Sequence, residues 1–333
     1  MEAYIKAISY YLPEQIIDNK TLAKEFPEWS EEKIEKKLGI KIRHIAREDE
    51  TAADLAIKAA ETLFSEYRID KDIIDYCILC TESPDYILPT TACLIQDKLK
   101  LSNKIGVLDI NLGCSGFIAS LSVAKGLVFA GVAKNILLLT AETYSKYMHP
   151  RDKGNRTIFG DGATASIIST EGLAQIGEFS FGTDGAGAEN LIVKTGGARN
   201  RTPLNDLTFD DFGNPRSSDY IYMNGPEILN YTLDRIPEVT AEVLERNGLI
   251  LEDIDLHVFH QANKYIAGLQ RRKLRVPEEI YYCCYENSGN TVSSTIPIAL
   301  VHALKDGSIK QGTKVLSVAQ GLGYTWGGVI LFF

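Results

Sequence analysis

The sequence predicts an α/β fold built from two similar halves. Apolar runs of strand length alternate with longer runs of helical periodicity, which is the pattern of strands covered by helices. Residues 74–80 resemble residues 254–260, which lie 180 positions later, and each segment follows a helix-like run and a short connection containing aspartate. Because further matches occur in the same order, we expect one half to cover residues 1–171 and the other residues 172–333.

The remaining elements follow the same arrangement. The helix-like runs 52–67 and 227–247 precede the matching strands, and the strand-like runs 135–140 and 315–318 come later in each half. Between them, residues 195–218 are rich in glycine, asparagine, aspartate and arginine. This composition predicts a long surface loop or a small flap.

The composition excludes several classes of protein. With 45% hydrophobic and 24% charged residues, the 333-residue chain is typical of a globular protein with a large core. A net charge of -9 argues against a nucleic-acid-binding protein. No apolar run approaches the roughly 18 residues of a membrane span, and the first residues lack the pattern of a secretory signal. We therefore expect a cytoplasmic protein without a membrane segment.

The six cysteines do not form a recognisable metal or disulfide pattern. In a cytoplasmic chain they are expected to be reduced thiols. Cys77 and Cys80 have the spacing of a redox motif, but they lie inside an apolar strand-like run rather than at the start of a helix. No group of cysteines and histidines has zinc-binding spacing, so the sequence predicts no metal site.

Cys114 is the strongest candidate for a reactive residue. It stands between the strand-like run 105–110 and the helix-like run 116–128. At a helix N-terminus, unpaired backbone N–H groups and the helix dipole favour a thiolate, which is the nucleophilic form of cysteine. The position therefore predicts a covalent nucleophile. The alternative is an inert cysteine buried in the core.

His260 and Asn290 are candidate partners of Cys114. In a duplicated fold, equivalent positions of the two halves can meet at one central site, and these residues follow strand-like runs of the second half. Transfer of an acyl group requires a nucleophile, a polarising group and hydrogen-bond donors for a developing oxyanion. The alternatives are a hydrogen-bonded core histidine for His260 and a helix cap for Asn290.

Seven motifs spread over nearly the whole chain resemble those of the 3-oxoacyl-acyl-carrier-protein synthase III family of the thiolase superfamily. They are Gly39-Ile-Lys-Ile-Arg-His-Ile45, Leu88-Pro-Thr-Thr-Ala-Cys93, Gly113-Cys-Ser-Gly-Phe117, Phe159-Gly-Asp-Gly-Ala163, His260-Gln-Ala-Asn263, Gly289-Asn-Thr291 and Gly323-Tyr-Thr-Trp-Gly327. The resemblance implies a thiolase-like, five-layered α/β/α/β/α fold and a homodimer.

The resemblance also implies a decarboxylative Claisen condensation. Cys114 is expected to accept an acyl group from acyl-CoA while its own N–H and the loop from Gly321 to Gly323 hold the oxyanion. Malonyl-acyl carrier protein is then expected to lose carbon dioxide, with His260 and Asn290 stabilising the enolate that attacks the acyl group. No metal or redox cofactor is implied. The pathway is either the initiation of fatty-acid synthesis or a specialised lipid or polyketide route.

Some residues differ from the family pattern. Lys33 and Lys153 stand where housekeeping members have a tryptophan and an arginine that clamp the adenine of CoA, and Trp29 lies nearby. Tyr265 replaces an arginine that follows the histidine motif in well-known members. The choice between CoA and carrier protein as acyl donor therefore stays open. Leu88 replaces a phenylalanine at the end of the acyl pocket, which predicts a starter longer than acetyl.

Two further features are functional candidates. Glu82 resembles the catalytic glutamate of hydroxymethylglutaryl-CoA synthases and is a possible acid or base, because burial raises the pKa of a carboxyl group; alternatively, it pairs with a basic residue or caps a turn. The basic cluster is a candidate docking surface for an acidic carrier protein or is a plain solvated face. Its members are Arg271, Arg272, Lys273 and Arg275.

Two other functions stay open on the same fold. One is an acyltransferase or a CoA-thioester condensing enzyme like hydroxymethylglutaryl-CoA synthase, which uses Cys114 but a different acceptor. The other is a non-catalytic subunit that binds acyl chains or carrier protein. Acylation of Cys114 separates the enzymes from the binding subunit.

Overall fold

The computed structural model describes residues 2–211 and 213–333. The helices are α1 (Asn19–Glu25), α2 (Glu31–Leu38), α3 (Ala52–Tyr67), α4 (Thr91–Lys98), α5 (Gly116–Phe129), α6 (Lys153–Arg156), α7 (Gly225–Arg246), α8 (Lys264–Leu274) and α9 (Thr295–Lys305). The strands are β1 (Tyr4–Tyr11), β2 (Gln15–Asp18), β3 (Ile42–Ile45), β4 (Tyr76–Cys80), β5 (Gly106–Ile110), β6 (Asn135–Glu142), β7 (Gly162–Ser169), β8 (Ala174–Thr183), β9 (Leu191–Ile192), β10 (Thr208–Phe209), β11 (Pro215–Arg216), β12 (Tyr222–Met223), β13 (Leu256–His257), β14 (Lys314–Gly321) and β15 (Thr325–Phe332).

The main sheet repeats one strand order. Its first part runs β5-β4-β6-β7-β1 and its second part runs β13-β14-β15-β8, with the two parts joined where β1 pairs briefly with β8. In both parts, the strands that are joined by helical crossovers pair in parallel: β4 pairs with β5 and β6, and β13 pairs with β14. The strand that follows along the chain, β7 or β15, pairs antiparallel to its neighbour. A parallel bridge between His257 and Tyr281 stands in the place that β5 occupies in the first part. The two similar halves predicted from the sequence are confirmed, while the boundary at residue 171 stays a prediction.

The helices complete five layers. α5 lies in the centre and packs against strands of both parts of the sheet, and α9 packs against β1, whereas α3 covers the first part and α7 covers the second. α5 is mainly apolar, as expected of a helix buried between two sheets, and its Phe117, Ile118 and Leu121 belong to the central core. This arrangement agrees with the predicted five-layered α/β/α/β/α fold.

The predicted polar excursion lies on the surface. Among the described residues of 195–218, the only regular structure is the short hairpin of β10 and β11, and most of these residues are exposed. Phe212 lies outside the described residues. In the part of the chain that the structure covers, no helix is long and apolar enough to cross a membrane.

Candidate active site

Cys114 lies immediately before the central helix. The strand β5 ends at Ile110, and α5 begins at Gly116 with Ser115 as its N-cap. The Gly116 N–H donates a 2.7 Å hydrogen bond to the Gly113 carbonyl, which fixes the turn that carries the cysteine. The side chain of Cys114 is 9% exposed. The sequence pattern therefore predicted its position between a strand and a helix correctly.

His260 follows β13 at the edge of the same central region. Its backbone N–H donates to the Val318 carbonyl of β14 at 2.9 Å, which continues the parallel pairing past the end of β13. The ring nitrogen Nδ1 lies 2.7 Å from Thr295 Oγ1. Burial lowers the pKa of His260 to about 4, so the ring is neutral near pH 7.

Asn290 is held in a turn that leads to α9. Its backbone N–H donates to the Ile158 carbonyl at 2.9 Å, and its side-chain Oδ1 accepts the Val292 N–H at 2.9 Å. Gly289 precedes it with a φ of 69°, and a Cβ at that glycine would lie 2.8 Å from the Ile158 carbonyl oxygen. Asn290 is therefore not the cap of α9, whose N-cap is Ser294.

The structure brings these three side chains to one cavity. Cys114, His260 and Asn290 line a cavity of about 610 Å³, most of whose other lining side chains are apolar. Each is nearly buried, at 9%, 7% and 4% exposure respectively. A thiol, a neutral imidazole and a carboxamide in a water-poor cavity form a suitable set for acyl transfer, because hydrogen bonds to a developing oxyanion are strong there.

Comparison with known proteins assigns the family. The family model described as 3-oxoacyl-[acyl-carrier-protein (ACP)] synthase III matches residues 108–185, and the model of its C-terminal part matches residues 244–333. The beta-ketoacyl-[acyl-carrier-protein] synthase III of Clostridium perfringens is 37% identical over 322 residues, which are 96% of this chain and 96% of the relative. The chain belongs to the 3-oxoacyl-acyl-carrier-protein synthase III family.

Solved structures of synthase III proteins share the fold. The crystal structure of one 3-oxoacyl-(acyl-carrier-protein) synthase III matches with a TM-score of 0.98 and 45% identity, covering 100% of both chains. A beta-ketoacyl-[acyl carrier protein] synthase III from Thermus thermophilus matches with a TM-score of 0.87 and 33% identity, covering 99% of each chain. The family predicted from the motifs is confirmed.

In this member of the synthase III family, the thiol of Cys114 is not favoured as a thiolate. Burial raises its pKa well above the ordinary value, and the nearby carboxyl groups of Glu82 and Glu142 raise it further. Burial and the two acidic neighbours therefore oppose the thiolate that the helix N-terminus is expected to stabilise.

Glu82 lies directly beside the turn that carries Cys114. A Cβ on Gly113 would lie 2.4 Å from Glu82 Oε2, and the Tyr144 hydroxyl donates to the same oxygen at 2.6 Å. Burial raises the pKa of Glu82 to about 7, against the lowering effect of the Tyr144 hydroxyl and the Gly113 N–H. Glu82 does not pair with a basic residue in the part of the chain that the structure describes.

Glu142 forms the second half of this acidic pair. Its carboxyl group accepts hydrogen bonds from the Glu82 N–H at 3.2 Å, from the Ser83 hydroxyl at 2.8 Å and from the Ser293 hydroxyl at 3.1 Å. Burial raises its pKa well above the usual range, and the charge of Glu82 adds to this effect. Two buried carboxyl groups this close do not both ionise readily.

The residues predicted to hold the oxyanion and to close the acyl pocket do not all line the same cavity. Gly321 lines the cavity of Cys114, and a Cβ there would lie 2.8 Å from Ser115 Oγ, so any larger residue would displace the start of α5 or the loop. Gly323 lines a second cavity of about 910 Å³ instead, together with Glu82 and Leu88. Leu88 is 83% exposed and does not touch the cavity of Cys114 within this chain.

The basic cluster lies on α8, beside α2. Arg271 and Arg272 line an open groove of about 490 Å³ together with Lys36, Lys37 and Lys264. The Arg271 guanidinium forms a 3.2 Å ion pair with the exposed Glu278.

The rest of the cluster points to solvent. Arg272 and Lys273 are exposed. Arg275 ends α8 in the left-handed conformation with a φ of 58°.

Trp29 lies close to the position at which housekeeping family members have a tryptophan and this chain has Lys33. Its ring lines the cavity of Cys114, and the ammonium groups of Lys33 and Lys37 lie 5.2 and 5.0 Å from the ring centroid. Lys153 donates a 2.9 Å hydrogen bond to Glu28. Exposed Tyr265 lines the same cavity. A tryptophan is therefore present at the cavity despite its shift along the sequence.

Sequence reasoning missed Glu142, Tyr144 and Thr295. A signal existed for the first two, because they end or follow β6, whose carboxyl end lies beside those of the parallel strands β4 and β5. Polar residues at neighbouring carboxyl ends meet at one edge of a sheet. Thr295 carried no such signal, since a threonine at a helix start ordinarily indicates a cap.

Proposed function

We propose that this protein condenses an acyl starter with malonyl-acyl carrier protein to give 3-oxoacyl-acyl carrier protein. The observation that carries the proposal is the single cavity lined by Cys114, His260 and Asn290. Family membership supports it, since the curated relatives are named for this synthase activity. The reaction initiates fatty-acid synthesis or serves a specialised lipid or polyketide pathway.

In the first half-reaction, Cys114 attacks the thioester carbonyl of the starter. The sulfur–carbon bond forms as the thiol loses its proton, and the CoA thiol leaves with a proton. The N–H of Cys114 and the loop from Gly321 to Gly323 hold the oxyanion. The close approach of Gly321 to Ser115 supports this role, because it places the loop against the start of α5.

In the second half-reaction, His260 and Asn290 donate hydrogen bonds to the thioester oxygen of the malonyl group. Carbon dioxide leaves, and the electron pair of the broken bond forms an enolate whose oxygen the two donors stabilise. The enolate carbon attacks acyl-Cys114, the acyl–sulfur bond breaks as the 3-oxoacyl product forms, and the released thiolate takes up one proton from water to restore the Cys114 thiol. Decarboxylation makes the carbanion, so no strong base, metal or redox cofactor takes part.

The substrates are thioesters of CoA and of acyl carrier protein. Trp29 and Lys37 at the cavity support a CoA-bound starter, since an aromatic face and a cation suit a nucleotide. The carrier protein docks on the basic cluster of α8, where the side chains Arg271, Arg272, Lys273 and Arg275 attract its acidic surface.

The protein acts as a homodimer in the cytoplasm. The strand β5 forms one edge of the main sheet, and exposed apolar side chains lie beside the second cavity. Tyr86, Ile87 and Leu88 are 61%, 81% and 83% exposed. An apolar patch of this kind next to a free sheet edge suits a second copy of the chain. In the dimer, Leu88 closes the acyl pocket and admits a starter longer than acetyl.

One observation favours a second function. Glu82 is a buried carboxyl group with a pKa of about 7, beside Cys114 and hydrogen-bonded to Tyr144. A group of this kind can act as an acid or base near neutral pH. A CoA-thioester condensing enzyme like hydroxymethylglutaryl-CoA synthase uses such a residue. Full condensing activity in a Glu82→Gln variant would remove this candidate.

Intact-mass spectrometry tests the proposal. Wild type and Cys114→Ala are mixed with a panel of acyl-CoA and acyl-carrier donors, and malonyl-acyl carrier protein is then added. We expect an acyl adduct on wild type only, followed by its loss as a 3-oxoacyl product appears. An adduct that malonyl-acyl carrier protein does not discharge favours the second function. No adduct from any donor contradicts both and leaves a subunit that only binds acyl chains or carrier protein.

A further inference from the structure

One short turn contacts both donors of the condensation step. Residues Val292–Ser294 form a 3₁₀ turn that leads into α9 at Thr295. The N–H of Val292 binds the side chain of Asn290, and the hydroxyl of Thr295 binds the side chain of His260. Both contacts are buried, and in the proposed condensation both involve the end of the side chain that does not donate to the substrate oxygen.

The first contact orients the carboxamide of Asn290. Because Oδ1 accepts the Val292 N–H at 2.9 Å, the opposite end of the amide is Nδ2. Nδ2 carries two hydrogens and no acceptor function. The bond therefore presents a donor, rather than a carbonyl oxygen, to a substrate oxygen in the cavity that Asn290 lines.

The second contact selects one tautomer of His260. A neutral imidazole carries a single N–H, and the partner of Nδ1 decides which nitrogen holds it. The separation from Thr295 Oγ1 is 2.7 Å. The hydroxyl has one proton and two acceptors within reach, Nδ1 at 2.7 Å and the Val292 carbonyl at 3.2 Å, of which Nδ1 is the nearer. In the proposed condensation Nε2–H donates to the substrate, and this tautomer leaves Nδ1 as the acceptor of the Thr295 hydroxyl.

The turn is fixed to the rest of the site. The Ser293 hydroxyl donates to Glu142 at 3.1 Å, and the Ser294 hydroxyl lies 2.8 Å from Thr140 Oγ1 on β6. Val292 is fully buried and has a φ of 54°, a left-handed conformation that a β-branched residue adopts only when its surroundings enforce it. Such conformations concentrate at functional sites.

We propose that the turn from Val292 to Thr295 is the element that orients both hydrogen-bond donors, with Thr295 as a positioning residue that sets the Nε2–H tautomer of His260. The inference rests on the proposed condensation, in which both side chains donate to the malonyl thioester oxygen. Thr295 touches no substrate and acts only through His260.

Kinetic comparison of Thr295→Val with Thr295→Ser tests this role. The valine variant removes the hydroxyl at nearly constant size, so we expect kcat for condensation to fall about 100-fold, the loss typical of one oxyanion donor. The KM for malonyl-acyl carrier protein and the rate of Cys114 acylation should stay within about twofold, because neither requires the Nε2–H donor. The serine variant should recover most of the activity.

Thr240→Val is the matched control. Thr240 is also a buried threonine, on α7, but its hydroxyl has no hydrogen-bond partner among the described residues. This variant should condense at the wild-type rate. Equal condensation rates for Thr295→Val and Thr295→Ser would overturn the inference, provided that both variants acylate Cys114 normally and are therefore folded.

The tautomer itself is measurable without substrate. In wild-type protein with ¹⁵N-labelled histidine, the signal that disappears in a His260→Gln variant should show a protonated Nε2 and an unprotonated Nδ1. A protonated Nδ1 would overturn the inference even if the enzyme is active. Failure of the proposed function is a different result, namely no acylation and no condensation by wild type, and the tautomer can be read in that case as well.

Discussion

The Tyr144 hydroxyl donates a 2.6 Å hydrogen bond to Glu82 Oε2, and together they lie against the turn that carries Cys114. The carboxyl group of Glu142 accepts a hydrogen bond from the backbone N–H of Glu82, so a second carboxyl group lies next to the first. Within residues 2–211 and 213–333, neither carboxyl group has an ion pair with lysine or arginine. Buried acids without a cation hold protons more tightly than exposed acids do, which makes the stability of the protein depend on pH.

Replacing Glu82 by glutamine should increase stability at high pH. Burial raises the pKa of Glu82 from 4.5 to about 7, so between these values the native protein binds more protons than the unfolded chain, and stability falls as pH rises. Glutamine cannot ionise. The free energy of unfolding of Glu82→Gln relative to wild type should therefore rise by about 2 to 3 kcal/mol from pH 5 to pH 8, measured by urea denaturation.

Glu50→Gln is the matched control for this measurement. Glu50 is also a buried carboxyl group, but although burial raises its pKa, the hydrogen bond and charge of Lys58 and the Arg47 N–H outweigh this effect and lower it. The native carboxylate is thus stabilised above the unfolded pKa, and this stability is lost on acidification. Glu50→Gln should be destabilising at pH 8. A Glu82→Gln effect that is the same at both pH values would contradict the assignment.

Alkylation of Cys114 should be slow at neutral pH and faster in Glu82→Gln. Burial and the two acidic neighbours raise the pKa of the thiol, and only the thiolate reacts with iodoacetamide. Removing the charge of Glu82 should increase the rate at pH 8 several-fold, as followed by mass spectrometry of the Cys114 peptide. Exposed Cys93 provides an internal reference. An unchanged rate would mean that Glu82 does not influence the thiol.

The fold was predictable because its signals are local and repeated. The helix-like run 52–67 coincides with α3, and the run 116–128 is α5 without its last residue. Cys114 could be found from the same pattern, because the end of a buried strand and the start of a buried helix are both visible in the sequence on either side of it. The duplication then indicated that His260 and Asn290 belong to the same site, and the structure places all three in one cavity.

The electrostatics of the site could not be predicted from the sequence in the same way. The helix N-terminus favours a thiolate, but burial opposes it, and so do Glu82 and Glu142, which reach Cys114 from the ends of different strands. Likewise, the bond of Thr295 to His260 joins residues 35 positions apart. Such contacts depend on side-chain direction after packing, and a single sequence carries no periodic signal for them.

Charge reversal on α8 should weaken recognition of the carrier protein. Arg272 and Lys273 are exposed, whereas Arg271 is engaged by Glu278, so the first two are the better choices. The double variant Arg272→Glu, Lys273→Glu should raise the KM for malonyl-acyl carrier protein about tenfold at low salt, with less effect at high salt. The matched control reverses exposed Lys134 and Lys310, which precede β6 and β14 and lie away from α8 and from the β5 edge. Equal KM values would identify the cluster as a plain solvated face.

Charges introduced in the exposed apolar loop should separate the proposed dimer. Ile87 and Leu88 project from the loop that borders the second cavity. The variant Ile87→Asp, Leu88→Asp would bury two carboxylates in the dimer interface, at a cost of several kcal/mol. Sedimentation velocity should show a dimer for wild type and a monomer for the variant. The control Leu204→Asp also introduces a carboxylate at an exposed leucine, which is 52% exposed and lies outside this loop, and it should leave the dimer intact. A monomeric wild type would contradict the proposal.

The size of residue 88 should set the length of the starter. Leu88 borders the second cavity of about 910 Å³, and in the proposed dimer its side chain closes the acyl pocket. Leu88→Phe adds volume there, so we expect the preference among acyl-CoA donors to shift toward acetyl. Acylation of Cys114 by the longest starters that wild type accepts should fall about tenfold. One methylene group changes such discrimination by about 10- to 200-fold at most. The measurement is competition among acetyl- to octanoyl-CoA for Cys114, read by intact mass. Leu204→Phe is the control for added aromatic bulk at an exposed leucine. Wild-type rates that fall steadily from acetyl to octanoyl would contradict a longer starter, and an unchanged profile in Leu88→Phe would show that residue 88 does not limit the pocket.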